Sequence, residues 1–245
     1  MAVTATAMPT ASCLGALERC DWPALVHDID SQGWAILPEL LAAGDCRSLA
    51  LLYDEEAPFR SRVVMARHGF GKGEYRYFAY PLPPPVEHLR TALYAPLVPL
   101  ANSMNERLGI DVGYPPRFED FQARCHAAGQ QRPTPLLLRY TRGDFNCLHQ
   151  DVYGTHVFPL QVTVLLSRPG EDFRGGEFIL TEQRPRRQSR ATVAPLRQGD
   201  AVVFAVRHRP VRGTRGFYRV TQRHGVSTLL SGMRYTLGIV FHDGA

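Results

Sequence analysis

His149-Gln150-Asp151 places an imidazole and a carboxylate two residues apart. In an extended strand the side chains at i and i+2 share a face, so both groups can approach one ion. A second histidine would give two nitrogens and one carboxylate on one face of an octahedron, the set that binds non-haem Fe(II) and leaves three positions open. The downstream candidates are His156, His208, His224 and His242. His224 has the most informative surroundings: Gly225-Val226-Ser227 follows it, then Gly232, then Arg234-Tyr235-Thr236 leading into the last apolar run. A turn at Ser231-Gly232 would fold Arg234 back beside His224, with Thr236 on the same strand face. A guanidinium facing into a barrel is costly unless paired, and its planar fork matches a carboxylate, so an acid ligand is the implied partner. Each of these residues alone has an ordinary structural alternative, a surface turn or a satisfied core group, and the weight lies in their joint spacing. His156, His208 and His242 are read as structural, and Cys147 as a small buried thiol.

The elements that must position these groups fall into two textures. Asp21 to Asp30 has an N-cap acid, an early proline and an apolar stripe, so it reads as a helix ended by Gly33. A strand follows at Trp34 to Leu37, helical spacing resumes from Gly44 to Glu56, and strands are expected at 62–66 and 74–80 around the glycine-rich turn Gly69, Gly71, Gly73. Pro83-Pro84-Pro85 opens a long helical pattern to about Leu108, and Pro116 to Ala128 reads as one more helix. Beyond Pro135 the chain turns to short β-rich runs: Leu136 to Tyr140, Val157 to Ser167, Glu177 to Leu180, Thr192 to Pro195, Ala201 to Val206, Gly225 to Leu229 and Tyr235 to Phe241. Strands at such close spacing suggest a sandwich or jelly roll. The expected organisation is α+β: a disordered tail over 1–20, a helical support region over 21–135 and a β-core over 136–245.

Several positions together resemble the Fe(II)/2-oxoglutarate-dependent dioxygenases of the prolyl-hydroxylase-like branch. Tyr140-Thr-Arg-Gly143 resembles the family's lead-in to His-x-Asp, Gly175-Gly176-Glu177 its Gly-Gly-Glu turn, and Gly199-Asp200-Ala201-Val202-Val203-Phe204 the start of a core strand. The similarity covers about Leu136 to His242. It implies a double-stranded β-helix (jelly roll) with N-terminal helices packed on the larger sheet. It also implies His149, Asp151 and His224 as iron ligands, and Arg234 as the partner of the distal carboxylate of 2-oxoglutarate, assisted by Tyr140 and Thr236. The implied reaction couples decarboxylation of 2-oxoglutarate by O2 to hydroxylation or oxidative demethylation of a substrate, with ascorbate as reductant. A jelly-roll binding module without turnover is the alternative from a different class.

Composition bears on the substrate. The 245 residues are 44% hydrophobic and 21% charged, enough for one sizeable core. No run approaches the ~20 apolar residues that span a bilayer, and no positive charge precedes the weakly apolar N-terminus, so neither a membrane anchor nor a secretion signal is expected. Five cysteines without CxxC spacing argue against a disulfide framework and for a reducing cytoplasm. Of the 28 basic residues 27 are Arg, and eleven of them lie between Arg184 and Arg223 with Asp200 as the single acid. This segment alone carries twice the net charge of +5. Arginines with interleaved Tyr and Phe suit phosphates and stacked bases, so Arg184, Arg186 and Arg187 are candidate substrate contacts at the expected mouth of the barrel. Codon bias and a solvated basic rim are the bland explanations. The chain also resembles a bacterial oxygenase group proposed to act on alkylated nucleic acid, with matching positions at 223–227 and 241–243. The interval between His224 and Arg234 is shorter than alkylation-repair enzymes of the AlkB type usually have, so nucleic acid and a protein side chain remain competing substrates.

Overall fold

A computed structural model describes residues 15–245. Four helices and fourteen strands have named bounds. The helices are α1 (Trp22–Gln32), α2 (Ala43–Leu51), α3 (Pro84–Arg107) and α4 (Phe118–Ala127). The N-terminal strands are β1 (Trp34–Leu37), β2 (Phe59–Val64), β3 (Gly71–Lys72) and β4 (Glu74–Phe78). The rest are β5 (Leu136–Thr141), β6 (Phe145–His149), β7 (Leu160–Leu165), β8 (Phe173–Gly175), β9 (Phe178–Gln183), β10 (Arg190–Ala194), β11 (Ala201–Ala205), β12 (His208–Gly213), β13 (Gly216–Val226) and β14 (Leu229–Ile239). The first helix forms as its sequence dictates: the Asp21 carboxylate accepts from Ala24 N at 3.0 Å, and Gly33 closes the helix at φ 88°. The long helix α3 runs unbroken past Pro96 and Pro99.

The strands build two antiparallel sheets. The larger has the order β1-β11-β7-β14-β5-β4-β2, with β8 added to β14, and the smaller has the order β10-β9-β13-β6-β3, with β12 added to β13. Helices cover one face of the larger sheet and the smaller sheet faces the other. The central strands β7 and β11 of the larger sheet are therefore buried along their whole length; β11 reads as a continuous apolar run, while β7 carries Gln161 and Thr163 between its apolar residues. Strand alternation sorts their side chains. Leu160, Val162, Val164, Ala201, Val203, Leu237 and Ile239 join the core under the helices, while Leu165, Val202 and Phe204 face the space between the sheets. The same alternation aims Gln161 and Thr163 of β7, Arg234 and Thr236 of β14, and Tyr140 of β5 into that inner space. Each of these would be an anomaly in a purely structural core.

Four expectations change. Of the tail expected over 1–20, residues 1–14 lie outside the described residues, and Ala16 and Leu17 are buried in the helix-side core. The segment 21–135 is not only helical support, because β1, β2 and β4 extend the larger sheet and β3 edges the smaller one. The turn expected at Ser231-Gly232 lies earlier, at Ser227-Thr228 between β13 and β14. Gly232 is instead inside β14, where φ of 80° and a Cβ position 2.0 Å from Asp172 O leave room only for glycine. The strand expected at Gly225 to Leu229 is thus the end of one long strand and the start of another. Finally, β6, β8 and β12 were not among the expected strands, because their polar or glycine-containing sequences carry no apolar alternation.

Candidate metal centre

His149 is the last residue of β6, Asp151 lies two residues beyond it, and His224 stands on β13 in direct register with His149. Asp151 is not in the strand, so it reaches the shared face by the bend after β6 rather than by strand alternation. One ligand atom from each of the three residues lies within 4.8 Å of the others. The His149 Nε2 is 3.5 Å from one Asp151 oxygen and the His224 Nε2 is 3.4 Å from the other. The Nδ1 of His149 lies 2.8 Å from Cys147 O. A carbonyl only accepts, so this contact places the proton on Nδ1 and leaves the Nε2 lone pair facing the carboxylate. His224 is held between Phe178 and Phe204, with ring centroids at 5.8 and 4.6 Å. Gly225 lets β13 close on β6, since a Cβ there would meet Asn146 O at 2.7 Å.

Asp151 is positioned by two donors that spacing did not reveal. The Tyr153 hydroxyl donates to Oδ1 at 2.6 Å and the Gln161 amide to Oδ2 at 2.8 Å, while Tyr77 donates to the Tyr153 hydroxyl at 3.1 Å. Burial alone would raise the Asp151 carboxyl; the hydrogen bond from His224 and the charges of both histidines overcome it and hold the group well below the usual carboxylate range. Burial, reinforced by the neighbouring His149, lowers the His224 imidazole. The site thus favours an ionised Asp151 carboxylate, the form in which it can ligate a cation.

The cavity in front of the triad measures about 320 Å³, at the small end of ligand pockets. Arg234 closes its inner end at 1% exposure. In β14 it sits directly opposite Tyr140 of β5, and its Nη1 donates to Thr236 Oγ1 at 3.2 Å. Its Nε has no hydrogen-bond partner, and neither do the Tyr140 hydroxyl, Gln161 Oε1 or His224 Nδ1. Burial lowers the Arg234 guanidinium to about 10. Buried polar groups are ordinarily satisfied, so this group of open donors and acceptors marks a place for a polar ligand. A dicarboxylate spanning the cavity would meet the triad with one end and Arg234 with the other. The residues present therefore fit both a divalent metal and a small dicarboxylic acid.

The structure brings together His149, Asp151, His224, Tyr140, Arg234 and Thr236 around this cavity. Arg184, Arg186 and Arg187 are not among its lining residues. Arg184 is tied to Glu182 at 2.5 Å, and Arg186 sits at φ 59° in the bend between β9 and β10. Tyr77, Tyr153 and Gln161 were missed. For Gln161 a signal existed in the polar residues alternating through Leu160-Gln-Val-Thr-Val-Leu165, a pattern that has no use in a strand buried on both faces.

Comparison with known proteins agrees with this geometry. Two uncharacterised proteins of Mycobacterium tuberculosis, from strains CDC 1551 and H37Rv, are each 51% identical over 168 residues, covering 69% of this chain and 72% of theirs. A prolyl-4-hydroxylase from Pseudomonas putida has a similar structure at TM-score 0.51 and 17% identity, over 91% of this chain and 100% of that one. A prolyl hydroxylase from Trichoplax adhaerens, solved with a peptide fragment of hypoxia inducible factor, reaches 0.54 at 16% identity over 94% and 92%. A 2OG-Fe(II) oxygenase family oxidoreductase from Burkholderia pseudomallei reaches 0.51 at 18% identity over 93% and 94%. At such identities these likenesses show the fold, which is the jelly roll of the 2-oxoglutarate oxygenases. Residues 73–244 match an oxygenase family described as catalysing oxidative methylation of damaged DNA. The chain belongs to that family, an oxygenase with the fold and the two-histidine, one-carboxylate donor set of the Fe(II)/2-oxoglutarate enzymes.

Proposed function

We propose that His149, Asp151 and His224 hold Fe(II), that Arg234 with Thr236 and Tyr140 holds the distal carboxylate of 2-oxoglutarate, and that the chain oxidises an alkyl group on a damaged DNA base. The observation that carries this reading is the buried, unpaired Arg234 facing the triad across one small cavity. Fe(II) would supply O2 activation coupled to decarboxylation of 2-oxoglutarate to succinate.

The chain's own residues supply position and exclusion of water. Tyr153 and Gln161 fix the plane of the Asp151 carboxylate, and Cys147 O fixes the His149 tautomer. Leu136, Leu138, Phe178 and Val226 make the cavity wall apolar, which strengthens the charge pairing of a carboxylate with Arg234. Residues 136–245 carry the ligand set, and Tyr75 and Tyr77 from the preceding region complete the wall. A cavity of this size admits a single base edge and not a duplex, so the target base must be extruded or unpaired. A protein side chain is the second reading, favoured by the prolyl hydroxylases among the structural relatives. The described cysteines are free, in keeping with a cytoplasmic setting. No helix among the described residues is long and apolar enough to cross a membrane.

The test is an anaerobic titration followed by a turnover screen. A weak visible charge-transfer band is expected only when Fe(II) and 2-oxoglutarate are both present, and is expected to vanish in the His149→Ala/Asp151→Ala double variant. Its survival there would overturn the ligand assignment. Alkylated single-stranded DNA is expected to stimulate succinate release; stimulation by peptides alone would favour the second reading.

A further inference from the structure

The cavity mouth lies against the free edge of the smaller sheet. Strand β3 pairs with β6 in the register Gly71↔Asn146 and Lys72↔Phe145, and Cys147 N donates to Phe70 O at 2.9 Å. This lays residues 67–72 alongside the strand that ends in His149. The close approach depends on glycine, since Gly71 has φ 128° and a Cβ there would meet Phe145 O at 2.4 Å.

The consequence is an aromatic ring at the rim. Phe70 lines the cavity yet is 48% exposed, and Leu148 on the adjoining strand β6 also lines it at 46% exposure. The Phe70 ring is stacked on His68 with centroids 5.3 Å apart and planes at 23°. Arg67 and Lys72 flank it, both exposed and neither in an ion pair. No acid occurs between residues 57 and 73. In the Arg-rich segment, by contrast, Arg184 and Arg209 share the single carboxylate of Glu182.

We propose that the Arg67–Lys72 edge is the nucleic-acid docking surface of this enzyme, with Phe70 stacking on a base at the cavity mouth and Arg67 and Lys72 meeting the neighbouring phosphates. The proposal rests on the damaged-DNA reading and adds the residues that deliver the base. A half-exposed ring with an open face suits the π-face of an unpaired base, and stacking of this kind tolerates any base identity. Free cations on both sides suit a polyanion and leave an extended peptide without a matching charge.

The test measures binding of an alkylated single-stranded oligonucleotide by fluorescence anisotropy, using the full chain loaded with Mn(II) to prevent turnover. Phe70→Ala is expected to weaken binding about tenfold and Phe70→Trp to retain it. In Arg67→Gln/Lys72→Gln the slope of log K against log salt is expected to fall by about 1.4, the value for two single-strand phosphate contacts. Arg184→Gln/Arg186→Gln/Arg187→Gln is expected to change affinity by less than about twofold. Wild-type affinity in Phe70→Ala, or a larger loss in the triple variant, would overturn the docking surface while leaving the DNA reading intact. If the wild-type chain binds no oligonucleotide, the DNA reading falls and the docking surface with it.

Discussion

Two arginines in this molecule are equally buried and do opposite things. Arg90 on α3 is 0% exposed and Arg234 on β14 is 1% exposed. Arg90 donates to Asp243 at 2.6 Å, to Phe241 O and Val240 O at 2.9 and 3.0 Å, and to Tyr80 at 2.8 Å. Arg234 has Thr236 at 3.2 Å and an unpartnered Nε. Burial pulls both guanidinium groups down, but Asp243 reverses the direction for Arg90, while nothing does so for Arg234. Burial therefore does not mark a functional arginine. The number of donors left without acceptors does, because a folded chain tolerates such a group only where a ligand completes it.

The largest effect is expected at the satisfied arginine. Asp243→Ala leaves the Arg90 charge buried and alone, and is expected to cost about 3–5 kcal/mol of stability, read as a fall of roughly 10 °C in Tm for a chain of this size. At the unsatisfied arginine the outcome is inverted. Arg234→Met is expected to lower kcat/KM for 2-oxoglutarate at least about a hundredfold, the loss of two charge-assisted hydrogen bonds, with Tm unchanged or raised. A fall in Tm for Arg234→Met comparable to that for Asp243→Ala would erase the distinction. Adding 2-oxoglutarate to the Mn(II)-loaded protein sharpens it further: wild type is expected to gain about 2.7 kcal/mol at a hundredfold excess over Kd, and Mn(II)-loaded Arg234→Met almost none.

Arg209 lies between these extremes and gives the smallest effect. It is 2% exposed and paired with Glu182, which also holds Arg184. Burial would raise the Glu182 carboxyl, but hydrogen bonds from both arginines lower it below its ordinary 4.5. Its contribution is thus complete above pH 4.5 and is lost as pH falls through the depressed folded value. Glu182→Gln is expected to lose about 1–2 kcal/mol at neutral pH and to flatten the acid limb of the stability curve, a difference readable by denaturant titration at pH 7 and pH 3.

The legibility of the site followed the same logic. His149, Asp151, His224 and Arg234 could be found because metal and acid ligands demand particular side chains at characteristic spacings, even though a bend rather than strand alternation delivers Asp151. Tyr153 and Gln161 escaped because a donor to Asp151 needs only proximity, which the bend after β6 and the pairing of β7 supply without a spacing rule. The basic surface is less simple than its composition: Arg184 to Arg223 is conspicuous as charge, but Glu182, two positions before it, pairs with Arg184 and Arg209. Phe70 was hidden inside a glycine-rich stretch that reads as a turn. In the fold, the helices were readable from caps and stripes, even through the prolines of α3. Strands β6 and β8 were not, since they are held by partners distant in sequence rather than by their own alternation, and β12 was not because its polar, proline-containing hairpin with β13 shows no apolar alternation either.

The pairing of β1 with β11 also constrains how the chain is made. Trp34 lies opposite Phe204, and the Glu39 amide is tied to the Asp200 carboxylate at 2.9 Å. During vectorial synthesis the first strand emerges long before its partner, so its hydrogen-bonding edge has no sheet to join until most of the polypeptide has left the ribosome. Only the helix-side apolar surface of α1 and α2 is available to shelter it in the interval. Pairing of β1 therefore waits for residues 201–205, and a nascent chain stalled before residue 200 would expose its earliest strand to every other unfinished copy.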